Sequence, residues 1–356
     1  MSRRSLSVKV RKIDGKKTLV LVNKLQLSDR QLEIKRIGDF IFIPFARIPS
    51  ELELEELKRA ASEARVSTCI FREKAERATT LAELLDRKLS PQLLSSLPRS
   101  ADIVGNIAVV EIPPELQAFE DLVGEAILTL NKNVRTVLAK AGAVSGTYRL
   151  RELGIIAGEK CTVTVHKEYG CRYYVDLSRA YFSPRLSTEH HRVASLVREG
   201  ETVLDMFAGV GPFAIQIART VRNVKVYAAD ANPNAIEFLK KNVRLNRVEN
   251  KVIPIMGDAK EVVKEKLHGM ADRVIMNLPE SAKEFICAAC EALKQAGGIV
   301  HFYGFVKAPD SLENMQSGFA DAVDQCGRKA EKILFSRLVR ATAPYEWQYV
   351  LDAQVA

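Results

Sequence analysis

The chain has 356 residues, 47% of them apolar and 27% charged, with 53 Lys and Arg against 44 Asp and Glu for a formal charge of +9. At roughly 150 residues per domain this suggests two to three domains, and the ordinary apolar and charged fractions exclude disordered, collagen-like and low-complexity architectures. No run approaches the ~18 consecutive apolar residues of a membrane span. Met1-Ser-Arg-Arg lacks the apolar core of a secretory signal. Six cysteines in a chain of this length are too sparse for a disulfide scaffold. The expectation is a cytoplasmic protein with no membrane association.

Charge is concentrated at the N-terminus. Residues 1–40 hold eleven Lys and Arg against four acids, +7 of the total +9. Such a segment is either a solvated small domain or a nucleic-acid-binding module. Residues 1–75 alternate apolar and polar at Leu6, Val8 and Val10 and again through Phe40–Phe45, then give a helical run over Glu51–Ala64. They predict a small α+β module. The stretch Leu89–Ser100, rich in Ser, Pro and Leu, predicts a linker.

Residues 76–185 form a second α+β unit. Asp102–Ile112 predicts one buried strand stopped by Pro113-Pro114. A helix is expected over Phe119–Asn131, with strands at Cys161–His166 and Tyr173–Asp176. No internal repeat is evident.

From residue 186 to 356 strands and helices alternate: strand to Asp205, helix Pro212–Thr220, strand Lys225–Asp230, helix Pro233–Asn246, strands Val252–Met256 and Arg273–Met276, and apolar Gly298–Tyr303. This predicts a parallel, doubly wound sheet, whose ligands bind beyond the carboxyl ends of the strands. Its first loop, Asp205-Met-Phe-Ala-Gly-Val-Gly-Pro, has glycines 209 and 211 for a tight turn and Pro212 to start a helix. Gly209-x-Gly211-x-x-Ala214 with Asp230 also fits a dinucleotide site, so a nicotinamide enzyme and an S-adenosylmethionine (SAM) enzyme stay open at this point. Asp230, at the next strand end, is placed to accept ribose hydroxyls or to cap a helix. Asn232 should cap the following helix. Asp258, in Gly257-Asp-Ala259, is placed to accept from an adenine amino group. Asn277-Leu-Pro279 follows the fourth strand, where a flat base could lie against the proline. Cys287-x-x-Cys290 has no second pair and reads as core packing rather than a zinc or redox site.

Together, Asp205–Gly211, Asp230, Gly257-Asp-Ala and Asn277-Leu-Pro resemble a class I SAM-dependent methyltransferase. With Asp102–Ile112, Tyr148–Leu153, Tyr181–Glu189, Met276–Phe285 and Arg340–Trp347, the chain more specifically resembles the archaeal and eukaryotic tRNA guanosine-37 N1-methyltransferases. The resemblance implies a C-terminal Rossmann-like methyltransferase domain, a preceding α+β RNA-binding domain and a small N-terminal α+β module contacting tRNA. It implies SAM as the methyl donor, held by His190, Asp205, Phe207, Gly209, Gly211, Asp230, Ala231, Asp258, Ala259 and Asn277. Glu189 is then the general base removing the guanine N1 proton, and Arg149 stabilises charge developing on O6. Asn277 bonds the base edge, Tyr181 and Pro279 position its face, and Arg185 with Arg149 contacts the RNA. No metal is implied. His190-His191 stands where relatives often have arginine next, so His190 is a candidate contact for the SAM carboxylate. The implied partner is tRNA, through its anticodon loop and outer corner, with a monomer and no obligate protein partner. A related reading is an aminocarboxypropyl transferase of the wybutosine pathway. Methylation of carbon 7 of a wyosine precursor is a possible second activity, and an NAD-dependent oxidoreductase is a distant alternative.

Overall fold

The computed structural model describes residues 2–73, 78–142 and 152–356 and divides into two compact units, Met1–Thr79 and Thr80–Ala356. The first unit contains β1 (Ser2–Arg11), α1 (Gly15–Lys24), β2 (Lys35–Ile37), β3 (Phe40–Pro44), α2 (Glu51–Ala60) and β4 (Arg65–Arg72). Its antiparallel sheet runs in the order β2-β3-β1-β4. The alternation seen in the sequence places Val8 and Val10 inward, against Val22, Ile43 and Leu57. α2 starts at a reciprocal cap: the Ser50 hydroxyl accepts from the Glu53 amide and the Glu53 carboxylate from the Ser50 amide. The helix stops at Ala60, four residues short of the expected end.

The second unit opens with α3 (Leu81–Leu85) and α4 (Pro91–Ser95). The predicted linker is therefore partly helical, and Leu85, Leu89 and Leu97 are buried against Val123, Ile127 and Val137. A four-stranded sheet follows in the order β5 (Asp102–Val104), β6 (Ile107–Val110), β7 (Thr136–Lys140), β8 (Leu153–Gly158), with α5 (Glu120–Leu130) connecting β6 to β7. The single strand expected over 102–112 is thus a hairpin. Gly105 turns it with φ +57°, and a Cβ there would lie 2.1 Å from Thr164 Oγ1. β9 (Val163–Glu168) and β10 (Cys171–Asp176) form a second hairpin whose turn, Tyr169-Gly170, has both φ values positive, 43° and 81°.

The rest builds the doubly wound part: α6 (Ser187–Leu196), β11 (Thr202–Asp205), α7 (Pro212–Thr220), β12 (Lys225–Asp230), α8 (Pro233–Asn246), β13 (Val252–Met256), α9 (Ala259–Val262), β14 (Arg273–Met276), α10 (Ile286–Ala292), β15 (Gly298–Lys307), α11 (Leu312–Gln325), β16 (Ala330–Ala343) and β17 (Glu346–Val355). The seven-stranded sheet has the order β13-β12-β11-β14-β15-β17-β16, with β17 antiparallel to both neighbours. Among the described residues the packing is continuous across the expected boundary near 185. Val104, Ile107 and Leu138 share one core cluster with Val175, Val210 and Phe238. Cys287 is disulfide-bonded to Cys326, with a Cα separation of 5.1 Å, so the expectation of simple core packing holds only for Cys290. The pairing partner lies 39 residues away, where local spacing gives no hint of it.

Candidate active site

The site is built at the carboxyl ends of β13, β12, β11 and β14. Gly211 adopts φ +94° at the start of α7, and a Cβ there would lie 2.4 Å from Leu239 Cδ1. Only glycine fits that turn. Asp230 ties the loop down: its Oδ2 accepts from the Gly209 amide at 2.7 Å and its Oδ1 from the Asn232 amide at 2.8 Å. Each carboxylate oxygen keeps a second lone pair for a ligand. Burial raises the Asp230 carboxyl, and the two amides oppose that shift. Asn232 caps α8 through the Asn234 amide, as its sequence position predicts.

A cavity of about 330 Å³ opens above these strand ends. Its walls include His190, Phe207, Gly209, Asp230, Ala231, Asp258, Ala259, Asn277, Pro279 and Tyr181. A second cavity of about 610 Å³ is lined by Asp102, Lys140, Tyr181, Arg185, Glu280 and Arg340, among others. Tyr181, Phe182, Ser183, Glu280 and Arg340 belong to both, forming a common wall. Arg185 reaches the larger cavity while pairing with Asp102 at 2.5 Å.

Three predicted residues, Asp205, Gly211 and Glu189, line neither cavity. Arg149 lies outside the described residues. Asp205 is fully buried, with neither carboxylate oxygen hydrogen-bonded among the described residues. Burial pushes its carboxyl up to about 8, with Asp230 adding to the shift and the nearby Phe207 amide opposing it. Glu189 is also fully buried. Its carboxylate accepts from Arg192 Nε at 2.9 Å, from the Tyr303 hydroxyl at 3.1 Å and from Arg337, and it faces neither cavity.

Glu189 is one end of a buried chain of charges. Arg192 bonds Asp352 at 2.5 Å, and Asp352 Oδ1 lies 2.6 Å from His301 Nδ1. His301 Nε2 is 2.8 Å from Arg273 Nη1, and Arg273 pairs with Glu201. Arginine only donates, so His301 Nε2 accepts and the ring proton sits on Nδ1. Burial lowers the His301 pKa in agreement with a neutral ring. Burial alone would raise Asp352, but bonds from His301 and Arg192 hold it at about 2.

Sequence reasoning missed five polar residues at or behind the site, of which Arg340 and Gln348 line a cavity. Glu168 Oε2 lies 2.8 Å from His190 Nδ1, and its Oε1 lies 3.4 Å from His166 Nε2. His166 Nδ1 accepts from the Gly105 amide at 3.0 Å. Burial opposes ionisation of Glu168, yet the two imidazoles hold its carboxyl below the ordinary range. With Nδ1 engaged, His190 has Nε2 left for a ligand. Arg340 donates to Gln348 Oε1 at 2.9 Å, to Ser183 Oγ at 3.0 Å and to the Tyr181 hydroxyl at 3.3 Å. Gln348 donates in turn to Asn277 Oδ1 at 3.2 Å. Asn242 on α8 holds the edge of β10 and the glycine loop together, bonding the Tyr174 amide and carbonyl and the Val210 carbonyl at 2.7–3.0 Å. Among the described residues no group of three or more His, Cys, Asp or Glu could hold a metal ion, and no helix is long and apolar enough to cross a membrane.

The strand order, the glycine turn after β11 and the acids ending β12 and following β13 define a class I methyltransferase fold. Comparison with known proteins narrows this. Residues 164–330 match the TRM5/TYW2 methyltransferase domain and residues 81–162 the TYW2 N-terminal domain. The chain belongs to the TRM5/TYW2 methyltransferase family. It is 38% identical to the tRNA (guanine(37)-N(1))-methyltransferase Trm5b of Pyrococcus abyssi over 99% of both chains. The crystal structure of that protein superposes with a TM-score of 0.76 over 99% of each chain. A complex of aTrm5 with tRNALeu matches with a TM-score of 0.75 at 31% identity, covering 99% of this chain and all of that one. The tRNA 4-demethylwyosine(37)-methyltransferase Taw21 of Saccharolobus solfataricus is 37% identical over 70% of this chain and 92% of its own.

Proposed function

We propose that the protein methylates N1 of guanosine 37 in tRNA, with SAM as methyl donor. The observation that carries this is the pair of cavities sharing Tyr181 and Arg340, one above the strand ends and one opening beside Arg185 and Lys140. A methyl donor in the first and a base in the second would meet at that wall. The full-length likeness to a protein of this activity supports the same reading.

The smaller cavity suits SAM on its own chemistry. Asp230 retains lone pairs for ribose hydroxyls, and Asp258 with the Ala259 amide suits the adenine edge. Phe207 and Ala231 offer apolar faces, and His190 Nε2 is available to the amino-acid end. When bound, SAM supplies an electrophilic methyl group. The acceptor N1 carries a proton at neutral pH, so a base must take it. Glu189 is assigned that role on the resemblance, and it must leave Arg337 and Tyr303 to reach the base. Arg149 would stabilise charge on O6, Tyr181 and Pro279 would hold the base face, and Arg185 would contact the RNA. Aromatic contact with a base contributes about 1–3 kcal/mol. Asn277-Leu-Pro279 favours methyl transfer over aminocarboxypropyl transfer.

The test is transfer from labelled SAM to transcripts carrying guanosine or adenosine at position 37, followed by nucleoside mass spectrometry. N1-methylguanosine from the guanosine transcript alone is expected. An aminocarboxypropyl product, or methylation confined to a wyosine precursor, would replace this reading. In the same assay Glu189→Gln should slow single turnover by about 10²–10⁴-fold. If Glu280→Gln shows that loss instead, the carboxylate already on the shared wall is the base.

A further inference from the structure

We infer that Gln348, anchored by Arg340, fixes the hydrogen-bond polarity of Asn277 and so makes the point where the base edge meets the methyl donor accept guanine and refuse adenine. This rests on the reading above that the methyl acceptor is N1 of a purine. Gln348 lies on β17 directly across from Arg340 on β16 and is 1% exposed. Arg340 Nε lies 2.9 Å from the Gln348 side-chain amide. A guanidinium has donors and no acceptor, so the Gln348 atom facing it is the carbonyl oxygen by necessity. The other end of that amide is then an NH₂, and it lies 3.2 Å from the Asn277 amide. An NH₂ needs an acceptor, so Asn277 turns Oδ1 toward Gln348. Its own NH₂ is left facing away, without a partner among the described residues, on a side chain that lines the smaller cavity beside Arg340, where the edge of the acceptor base must enter to reach the methyl group.

One arginine thus orients two amides in sequence. The face offered to the base carries hydrogen-bond donors: Asn277 Nδ2 and the guanidinium of Arg340, which lines both cavities. Guanine carries an acceptor at its 6-position, O6, and adenine carries an amino donor there. Donors match O6 and meet the adenine amino group donor to donor. The match improves as the N1 proton leaves and negative charge spreads onto O6. Gln348 acts through Asn277 and is a positioning residue.

Gln348→Glu replaces the donating NH₂ by an acceptor while keeping the bond from Arg340. Asn277 must then turn its NH₂ toward the new carboxylate and present Oδ1 to the base. Single-turnover methylation of transcripts with guanosine or adenosine at position 37 reads the consequence. The variant should form N1-methylguanosine at least about tenfold more slowly, the scale of one reversed buried hydrogen bond. Its ratio of N1-methyladenosine to N1-methylguanosine should rise, with S-adenosylhomocysteine binding like that of the parent. A folded variant with an unchanged ratio overturns the inference. If Gln348→Glu loses S-adenosylhomocysteine binding, Gln348→Met carries the comparison. It frees Asn277 to take either orientation, so selectivity should fall, and an unchanged ratio again overturns the inference. A parent protein that leaves guanosine 37 unmethylated fails the underlying reading instead.

Discussion

Asp205 is a carboxyl group at the end of β11 with no hydrogen-bond partner among the described residues and no exposure. It is therefore most stable uncharged. An aspartate in the unfolded chain titrates near ~3.9, whereas burial pushes this one up to about 8. Its contribution to stability is full below the unfolded value and is lost as pH rises through about 8. The Asp205 contribution to the melting temperature of the ligand-free protein should fall from about pH 4 to about pH 8 and level off above that, and Asp205→Asn should flatten that slope. Equal slopes in thermal denaturation would show that this carboxyl is not buried neutral. Asp352 works in the opposite sense: held at about 2, it stabilises at neutral pH and loses that effect only as pH falls through that value. The sequence made Gly209, Gly211, Asp230 and Asn277 legible because each ends a strand or follows one within a few residues. Gln348 and Arg340 were not legible as site residues. Gln348 reaches Asn277 by a side-chain hydrogen bond across 71 residues and is paired with Arg340 between β16 and β17, and no local pattern records such contacts.

Among the elements, the hairpin of β9 and β10 shows how one helix can replace a missing strand. Asn242 and Asn246, one turn apart on α8, bond the amides and carbonyls of Tyr174 and Arg172. The edge of β10 is thereby paired without a neighbour. Asn242 also holds the Val210 carbonyl, so the hairpin carrying Glu168 is fixed to the glycine loop. Asn242→Ala would leave these buried groups unsatisfied, at about 1–3 kcal/mol for the group left unpaired. Chemical denaturation should show that loss together with weaker S-adenosylhomocysteine binding. A variant as stable as the parent would remove Asn242 from this role. The helix itself was evident from Pro233, Asn232 and the apolar stripe. Its polar task was hidden, because two asparagines inside a helix look the same in sequence whether they face water or a strand. The hairpin at Gly105 was hidden for a related reason: Asp102–Ile112 is apolar enough to be one strand, and only contact with Thr164 shows that it bends.

Across the whole molecule, charge and chemistry occupy different units. The N-terminal unit carries most of the net positive charge in its first 40 residues and has its own core of Val8, Val10, Ile43 and Leu57. The cavities belong to the unit from Thr80 onward. Removing residues 1–79 should weaken tRNA binding and make the dependence of affinity on salt shallower, because fewer phosphates are neutralised. Affinity for S-adenosylhomocysteine should change by less than about twofold, since the ligand contacts proposed for it lie in the second unit. An unchanged tRNA affinity would show that the basic unit serves something else. The three expected units were read from composition, which changes near 185. Packing does not follow that change, because the strands before it bury their apolar faces on α8 and the glycine loop.

The wall shared by the two cavities has a thermodynamic corollary. Tyr181 and Arg340 cannot shift to suit an occupant on one side without altering the surface offered on the other. Two ligands joined by such a wall are linked, and linkage is reciprocal: whatever factor the cofactor contributes to RNA affinity, the RNA contributes to cofactor affinity. Product and substrate forms of the cofactor, differing by one methyl group at that wall, would then hold the RNA with different strength. Turnover and release become two readings of a single coupling energy.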